Sequence, residues 1–323
     1  MLYTALTLLF WAADFCCFVR CCLKTKLVKN ILALTMVGTL AITSAATQVA
    51  AAVDTECVEP LSIDSCAANI KSIFKTKYPE QADMIDKIVD RATKSEEFIY
   101  IFEQEGASAF RIIENSLIDT LDSSASPCAS TDETYYTSYF IPEVKQINSN
   151  FCGPASTVMA LIGSGAPDYY YTTNMTLTNR WQQNVANQMP QSKGDGAYVY
   201  EVTDIMKNNV ADRNNYSYDY RGFWDNSYST YLKALDYLEI SLIYDAVPIL
   251  MVDSTKWFNY YSGGDYRHYM VVECVDIVAE EITVVDPNNL NNKYFGRHNI
   301  SFAEFKEMCL NTDEFWIIAY MRS

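Results

Sequence analysis

Apolar residues recur at helical spacing between Ile63 and Leu121. Positions three and four residues apart, such as Phe98, Ile101 and Phe102, share one face, and this spacing is typical of an amphipathic helix. The period predicts a succession of helices, which span residues 66–74, 80–94 and 95–121.

A serine-rich stretch, residues 122–132, follows the predicted helices and contains Pro127. Its composition is typical of a linker. The chain is therefore divided into a helical module at residues 53–121 and a second domain at residues 133–323. The module is either a removable pro-region or a cap that stays on the second domain, and the sequence leaves both possibilities open.

The second domain changes from helical to strand periodicity along its length. The predicted helices span residues 152–163, 177–188, 197–208 and 228–245, and the predicted strands span residues 247–252, 269–275, 282–286 and 315–321. Helices that precede a set of strands are typical of an α+β fold, in which a helical half packs on an antiparallel sheet.

The first 52 residues have the pattern of a targeting segment. Basic residues at 24–29 precede an apolar run at 31–42, and a stretch of small residues ends before Val53. This order predicts a signal peptide over residues 1–52 and a secreted or cell-surface protein with no stable membrane span after cleavage. A retained membrane anchor is the alternative. Residues 1–23 do not fit a signal peptide, and we interpret them as an extension upstream of the true start.

Charge narrows the range of partners. The chain carries 24 Lys and Arg against 40 Asp and Glu, a formal net charge of −16 at pH 7. A surface this acidic repels the phosphate backbone, which argues against a nucleic acid partner. Half of the residues are hydrophobic, enough for a globular core.

The cysteines are spaced as thiols and disulfide partners rather than as metal ligands. Cys57 and Cys66 are close enough in sequence for a local disulfide, whereas Cys274 and Cys309 are predicted to be buried thiols. Cys128 lies in the predicted linker. The chain has no CxxC pair and no cluster of His and Cys, so we expect neither a metal nor another cofactor.

One cysteine opens a predicted helix, where a thiol becomes most reactive. Cys152 precedes Pro154, a residue suited to the first turn of a helix, and Gln146 lies six positions earlier. A helix N-terminus beside a base lowers the pKa of a thiol. The backbone N–H of Cys152 and the amide of Gln146 would form an oxyanion hole. For Cys152 alone, the alternative is a small buried hydrophobe.

The chain contains two histidines, so only two residues are candidates for a histidine base. His298 lies in a polar stretch and is predicted to be a loop or cap residue. His268 begins a predicted strand, and Asp286 ends the next strand after a short connection. In an antiparallel pair the start of one strand lies beside the end of the other, so Asp286 would orient the imidazole of His268. Ordinary turn chemistry also explains the Asp286-Pro287 pair.

The sequence around these residues resembles one known family. The order Gln146, Cys152, His268, Asp286 is that of papain-like cysteine peptidases. The segments Cys152-Gly-Pro-Ala-Ser, His268-Tyr-Met-Val-Val and Ile-Thr-Val-Val-Asp286-Pro are similar to those of bacteriocin-processing (double-glycine) peptidases, cysteine peptidase family thirty-nine, and their stand-alone relatives. The resemblance covers about residues 131–323. A departure is the insertion Asp-Tyr-Arg that separates Gly264 from His268.

The resemblance implies a papain-like fold and a bacterial thiol hydrolase. Cys152 would be the nucleophile, His268 the base and acid, Asp286 the residue that orients it, and Gln146 the oxyanion donor. We expect a secreted cysteine peptidase or amidase that hydrolyses a peptide or isopeptide bond in a peptide or protein substrate. An acyl transferase of the transglutaminase type and a catalytically inactive papain-like binding module are the alternatives. The exact substrate and the oligomeric state stay open.

Overall fold

The helices and strands follow the periods of the sequence at most positions. The structure, a computed structural model, describes residues 62–121, 134–190, 196–253, 267–288 and 294–322. The described helices are α1 Ile63–Lys77, α2 Ala82–Ala92, α3 Glu96–Glu105, α4 Arg111–Leu121, α5 Cys152–Gly163, α6 Met175–Gln188, α7 Val199–Asn209, α8 Tyr228–Ile243 and α9 Phe302–Asn311. The described strands are β1 Thr134–Tyr136, β2 Tyr216–Phe223, β3 Ile249–Asp253, β4 Arg267–Asp276, β5 Glu281–Asp286, β6 Gly296–Ser301 and β7 Phe315–Arg322.

Some of the sequence predictions fall outside the described residues. They are the signal peptide at 1–52, the linker at 122–132, and the Gly263-Gly264 loop before His268. Within the part of the chain that the structure describes, none of the helices has both the length and the apolar character of a membrane span.

The single helix predicted at residues 95–121 is wrong, because the chain breaks at Gly106. The Ser95 hydroxyl accepts a hydrogen bond from the Phe98 N–H and starts α3. Gly106 then has φ +61 and ψ −140, a conformation that only glycine adopts readily, and a short 3-10 segment leads into α4. The helical module is therefore a set of short helices folded against each other.

The strands form one antiparallel sheet with β4 in its interior. The strand order is β2-β7-β3-β4-β5-β6, and β1 lies beside the end of β4 that β3 does not reach. On one side of β4, His268 pairs with Val252, and on the other side Val271 pairs with Val285. The α+β class predicted from the sequence is confirmed by this mixture of helices and antiparallel strands.

Three of the described strands, β1, β2 and β6, were not predicted, and one of them contains His298. The loop predicted for this residue is wrong, because His298 lies in β6, where its Nε2 is 2.8 Å from the carbonyl oxygen of Tyr294. Strand β6 has few apolar residues because it is the last strand of the path and pairs with β5 alone. Strand β2 escaped prediction because its inward positions are tyrosines, such as Tyr218 and Tyr220.

Apolar side chains cover both faces of the sheet. On one face Met251, Tyr269 and Val271 join a core that includes α5 and the helical module. On the other face the alternate residues, such as Val252 and Met270, pack with α8 and α9. Alternation is the rule for side chains along a strand. The helical module thus shares one continuous core with the helix that begins at Cys152.

The predictions for the cysteines have mixed outcomes. Cys309 is buried as predicted, whereas Cys274 is only half-buried, near the irregular register between β4 and β5. Cys66 is a free thiol in the structure. Cys57 and Cys128 lie outside the described residues.

Candidate active site

Helix α5 begins at Cys152 and carries this residue to the edge of the core. Every residue of the helix is buried, as its continuous apolar sequence requires. The residue before it, Phe151, has no side-chain oxygen to accept from the first N–H groups, and Pro154 has no N–H to satisfy. The N–H groups of Cys152 and Gly153 therefore point out of the helix at its N-terminus, where the helix dipole favours negative charge.

His268 and Asp286 are joined across neighbouring strands. The Nε2 of His268 lies 2.7 Å from Oδ1 of Asp286, and both side chains are buried. The N–H of Asn288 donates to the same carboxylate oxygen at 2.8 Å. Because Nε2 faces the carboxylate, the other ring nitrogen, Nδ1, is the one that faces Cys152.

The thiol of Cys152 and the imidazole of His268 are in hydrogen-bonding contact, and each shifts the pKa of the other. Burial, the largest single effect, raises the pKa of the Cys152 thiol, whereas the hydrogen bond and positive charge of His268 lower it. Backbone N–H groups of Tyr269 and Gly153 lower it further. These opposing effects leave a thiol that ionises more readily than an ordinary cysteine.

The pKa of His268 moves in the opposite direction. Burial lowers the pKa of the imidazole, but the Asp286 carboxylate and the Cys152 thiol together raise it to about 10. A lowered pKa for the thiol and a raised pKa for the imidazole favour the same state, a thiolate beside an imidazolium. The arrangement can therefore supply a nucleophile and a proton donor at neutral pH.

Gln146 lies at the same end of the sheet and is held by the backbone. Its side chain is buried, and its N–H donates to the carbonyl of Pro287 at 2.8 Å, next to Asp286. Its amide Nε2 donates to the carbonyls of Asn148 at 2.8 Å and Ser149 at 3.2 Å. The structure thus places Gln146 beside the Asp286 turn, and its role as an oxyanion donor stays a prediction.

The close packing of Ala197 against Gly153, beside Cys152, was not predicted from the sequence. A Cβ added to Gly153 would lie 2.6 Å from the Cβ of Ala197, so only glycine fits at this position. The hydroxyl of Tyr269 donates to the carbonyl of Ala197 at 3.0 Å and holds the segment before α7 against the start of α5. The one feature of the sequence that could have indicated this packing is the glycine at position 153, directly after Cys152.

The described residues offer no ligand set for a metal, since no group of three or more His, Cys, Asp or Glu side chains converges among them. A profile of the Peptidase_C39 like family matches residues 140–312, which is more than half of the chain and includes Gln146, Cys152, His268 and Asp286. No curated protein sequence matches the chain.

Proposed function

Because the chain belongs to the Peptidase_C39 like family, we propose that it is a cysteine peptidase or amidase in which Cys152 is the nucleophile. The observation that carries this proposal is the continuous contact from the Cys152 thiol through the His268 imidazole to Asp286, whose last step is 2.7 Å. A nucleophile, a base and a group that orients the base are the parts of a catalytic triad. The substrate is a peptide or isopeptide bond.

The first step is attack of the Cys152 thiolate on the carbonyl carbon of the substrate. The electron pair of the C=O bond moves to oxygen and gives a tetrahedral oxyanion. The N–H of Cys152, at the N-terminus of α5, donates to this oxygen. Asp286 holds the imidazole of His268 so that the proton on Nδ1 faces the site.

The second step breaks the bond to the leaving amine. The C–N bond cleaves as His268 transfers its proton to the amine nitrogen, and a thioester to Cys152 remains. His268, now neutral, takes a proton from a water molecule that attacks the thioester carbonyl. The C–S bond then breaks, the carboxylic acid leaves, and the thiolate and imidazolium are restored.

Gln146 supplies the second oxyanion donor in this proposal, with one rearrangement. Its amide donates to the carbonyls of Asn148 and Ser149 in the structure. For the amide to reach the oxyanion, one of these hydrogen bonds is exchanged for a bond to substrate. Such an exchange is favourable when charge develops on the acceptor, because hydrogen bonds to charged groups are the stronger ones.

We also propose that the enzyme acts outside the cytoplasm. The support is the order of basic, apolar and small residues over residues 1–52. N-terminal sequencing of the protein recovered from culture medium tests this, and a start at Val53 is the expected result. Recovery of the protein from the cytoplasm alone would contradict it.

A peptidyl electrophile tests the catalytic proposal directly. We expect the wild-type protein to be labelled at Cys152 near pH 6, where an ordinary thiol is protonated. Cys152→Ala should remove both labelling and amide turnover. Cys274→Ala is the matched control because Cys274 is a half-buried free thiol whose pKa burial raises to about 11, and this variant should keep both.

The alternatives give different results in the same experiment. Turnover that survives Cys152→Ala would overturn the proposal. An electrophile that labels Cys152 no faster than Cys274 would favour an inactive binding module. Formation of a new amide when a primary amine is added would favour acyl transfer over hydrolysis.

A further inference from the structure

The helical module reaches the candidate active site through a buried carboxylate. Glu97 lies in the first turn of α3, and its side chain is 1% exposed. Oε1 accepts a hydrogen bond from the Arg267 guanidinium at 3.0 Å, and Oε2 accepts one from the N–H of Val199 at 3.0 Å. Both oxygens of one carboxylate are thus used, and both donors belong to the second domain.

The two groups that Glu97 holds flank the catalytic residues. Arg267 directly precedes His268 at the start of β4. Val199 begins α7, two residues after Ala197, whose Cβ lies against Gly153. One carboxylate from the module therefore binds the side chain of the residue before the base and the backbone of the segment that lies against Gly153.

Aromatic contacts reinforce the same junction. Tyr100 of α3 stacks on Tyr198, with ring centroids 4.0 Å apart and planes inclined by 8°. The guanidinium of Arg267 lies 4.9 Å from the centroid of the Tyr198 ring. Tyr198 is thus packed between a residue of the module and the arginine that Glu97 binds.

Because Glu97 is buried, its carboxyl group needs hydrogen-bond partners within the protein. Burial raises the pKa of its carboxyl to about 8, while Arg267 and the N–H of Val199 act in the lowering direction. A buried carboxyl group, ionised or protonated, that loses a partner keeps the cost of desolvation without the compensating bond. Loss of either bond to Glu97 should consequently disturb the groups around it.

Other contacts bind the module to the second domain over a wide area. Arg91 donates to the carbonyl of Trp224 at 3.0 Å, and Ser95 donates to Glu314 at 2.6 Å. The apolar residues of the module belong to the same core as α5. Removal of the module would expose that core.

We propose that the helical module is a permanent part of the catalytic unit. In this proposal Glu97 is a positioning residue that holds His268, and the Ala197 segment beside Cys152, in their places relative to each other. This inference rests on the proposed thiol hydrolase function. It excludes the alternative in which residues 53–121 are a pro-region whose removal activates the enzyme.

Neighbouring glutamates provide a matched pair of variants. Glu96 and Glu97 both lie near Arg267, but the Glu96 side chain is 79% exposed and its carboxylate is 3.6 Å from the Arg267 guanidinium. We expect Glu97→Gln to lower kcat about 10-fold or more, with KM changed less than about two-fold, because it disturbs geometry rather than substrate binding. Glu96→Gln should leave both constants within about two-fold of wild type.

The rate of Cys152 alkylation across pH separates positioning from general destabilisation. We expect the plateau rate of Glu97→Gln to fall by about the same factor as kcat at temperatures where circular dichroism shows the variant to be folded. A folded Glu97→Gln with the plateau and kcat of Glu96→Gln would overturn the inference. If wild-type Cys152 is no more reactive than Cys274, the proposed function itself is wrong and the inference falls with it.

A neutral double variant covers the case in which Glu97→Gln does not fold. Glu97→Gln combined with Arg267→Gln leaves no unpaired buried charge, so we expect it to fold. Its Cys152 alkylation should still be slow, because the two amides do not reproduce the charged hydrogen bond between Arg267 and Glu97. A folded double variant with the wild-type alkylation rate would overturn the inference.

Cleavage between the module and the second domain tests the permanence of the module. A protease site inserted in residues 122–132 allows the full chain to be cut after folding. We expect the two fragments to elute together in size-exclusion chromatography, with turnover within about two-fold of the uncut protein. Dissociation of the module with a rise in turnover would identify it as an inhibitory pro-region and overturn the inference.

Discussion

The carboxylate of Asp286 contacts His268 through Oδ1 at 2.7 Å, and the same oxygen accepts the N–H of Asn288 at 2.8 Å. The register of β4 and β5 explains the contact. Val271 lies opposite Val285, so continuing the antiparallel pairing brings Asp286 close to Met270, two residues along β4 from His268. The backbone pairing therefore brings base and carboxylate close together, and the N–H of Asn288 holds the carboxylate in place.

We expect Asp286→Asn to reduce turnover by about 10- to 100-fold, because the imidazole loses its counter-ion and its fixed orientation. The loss of the carboxylate should also lower the pKa of His268 from about 10. The pH dependence of kcat measures both effects. Asp276→Asn is the control, since Asp276 ends β4 at the end opposite His268. Equal activity of the two variants would contradict the orienting role.

Turnover and thiol alkylation should depend differently on pH. Both require the Cys152 thiolate and should fall as pH drops below its lowered pKa. Turnover also requires the imidazolium, so it should fall again as pH rises through about 10. Alkylation by iodoacetamide needs the thiolate alone and should persist above that pH.

The His268→Ala variant provides the reference for this measurement. Without the imidazole, burial is the main influence on the Cys152 thiol, and its pKa should rise. Alkylation near pH 7 should then slow markedly. A wild-type thiol that titrates at or above its ordinary value would contradict the thiolate–imidazolium pair.

Gln146→Ala distinguishes an oxyanion donor from a loop brace. Loss of an oxyanion donor should lower kcat about 100- to 1,000-fold and leave KM nearly unchanged. The comparison is Gln182→Ala, because the Gln182 amide also braces this segment through the N–H of Ile147 and the carbonyl of Lys145. If Gln146 acts only as a brace, the two variants should show similar, smaller losses and a raised KM.

Gly153→Ala should impair the site through a steric clash. The new Cβ would lie 2.6 Å from that of Ala197, and neither methyl group can rotate away, so the start of α5 must shift. We expect the alkylation rate of Cys152 to fall about 10-fold or more. Gly153→Ala with Ala197→Gly should recover most of the rate, and a double variant as slow as the single one would contradict this explanation.

The sequence predicts the residues of the candidate site better than it predicts their surroundings. Cys152 opens an unbroken apolar run, and His268 and Asp286 bound two β-branched runs joined by a short turn, so local patterns alone indicated their positions. Antiparallel pairing then placed His268 next to Asp286. The turn between the strands, residues 277–280, has the hairpin form expected from that spacing.

Local sequence patterns could not predict strands made mostly of polar residues or contacts between residues far apart in the chain. Strand β6 contains Arg297 and His298 in place of an apolar alternation, and its strand character comes from pairing with β5. The bond between Glu97 and Arg267 joins residues 170 positions apart. A glutamate in the first turn of a helix is an ordinary feature of that position, and nothing nearby in the sequence indicates that it is buried.

Strand β4 is paired with β3 from Arg267 to Val271, with β5 from Val271 to Asp276, and with β1 at the end away from His268. The amide protons at the centre of the strand should therefore exchange slowly with solvent, because neighbouring strands must separate first. Partial opening of peripheral segments leaves such a strand intact. The proposed activity should accordingly be lost on heating only when the whole protein unfolds. The temperature of inactivation would then equal the unfolding temperature of the protein.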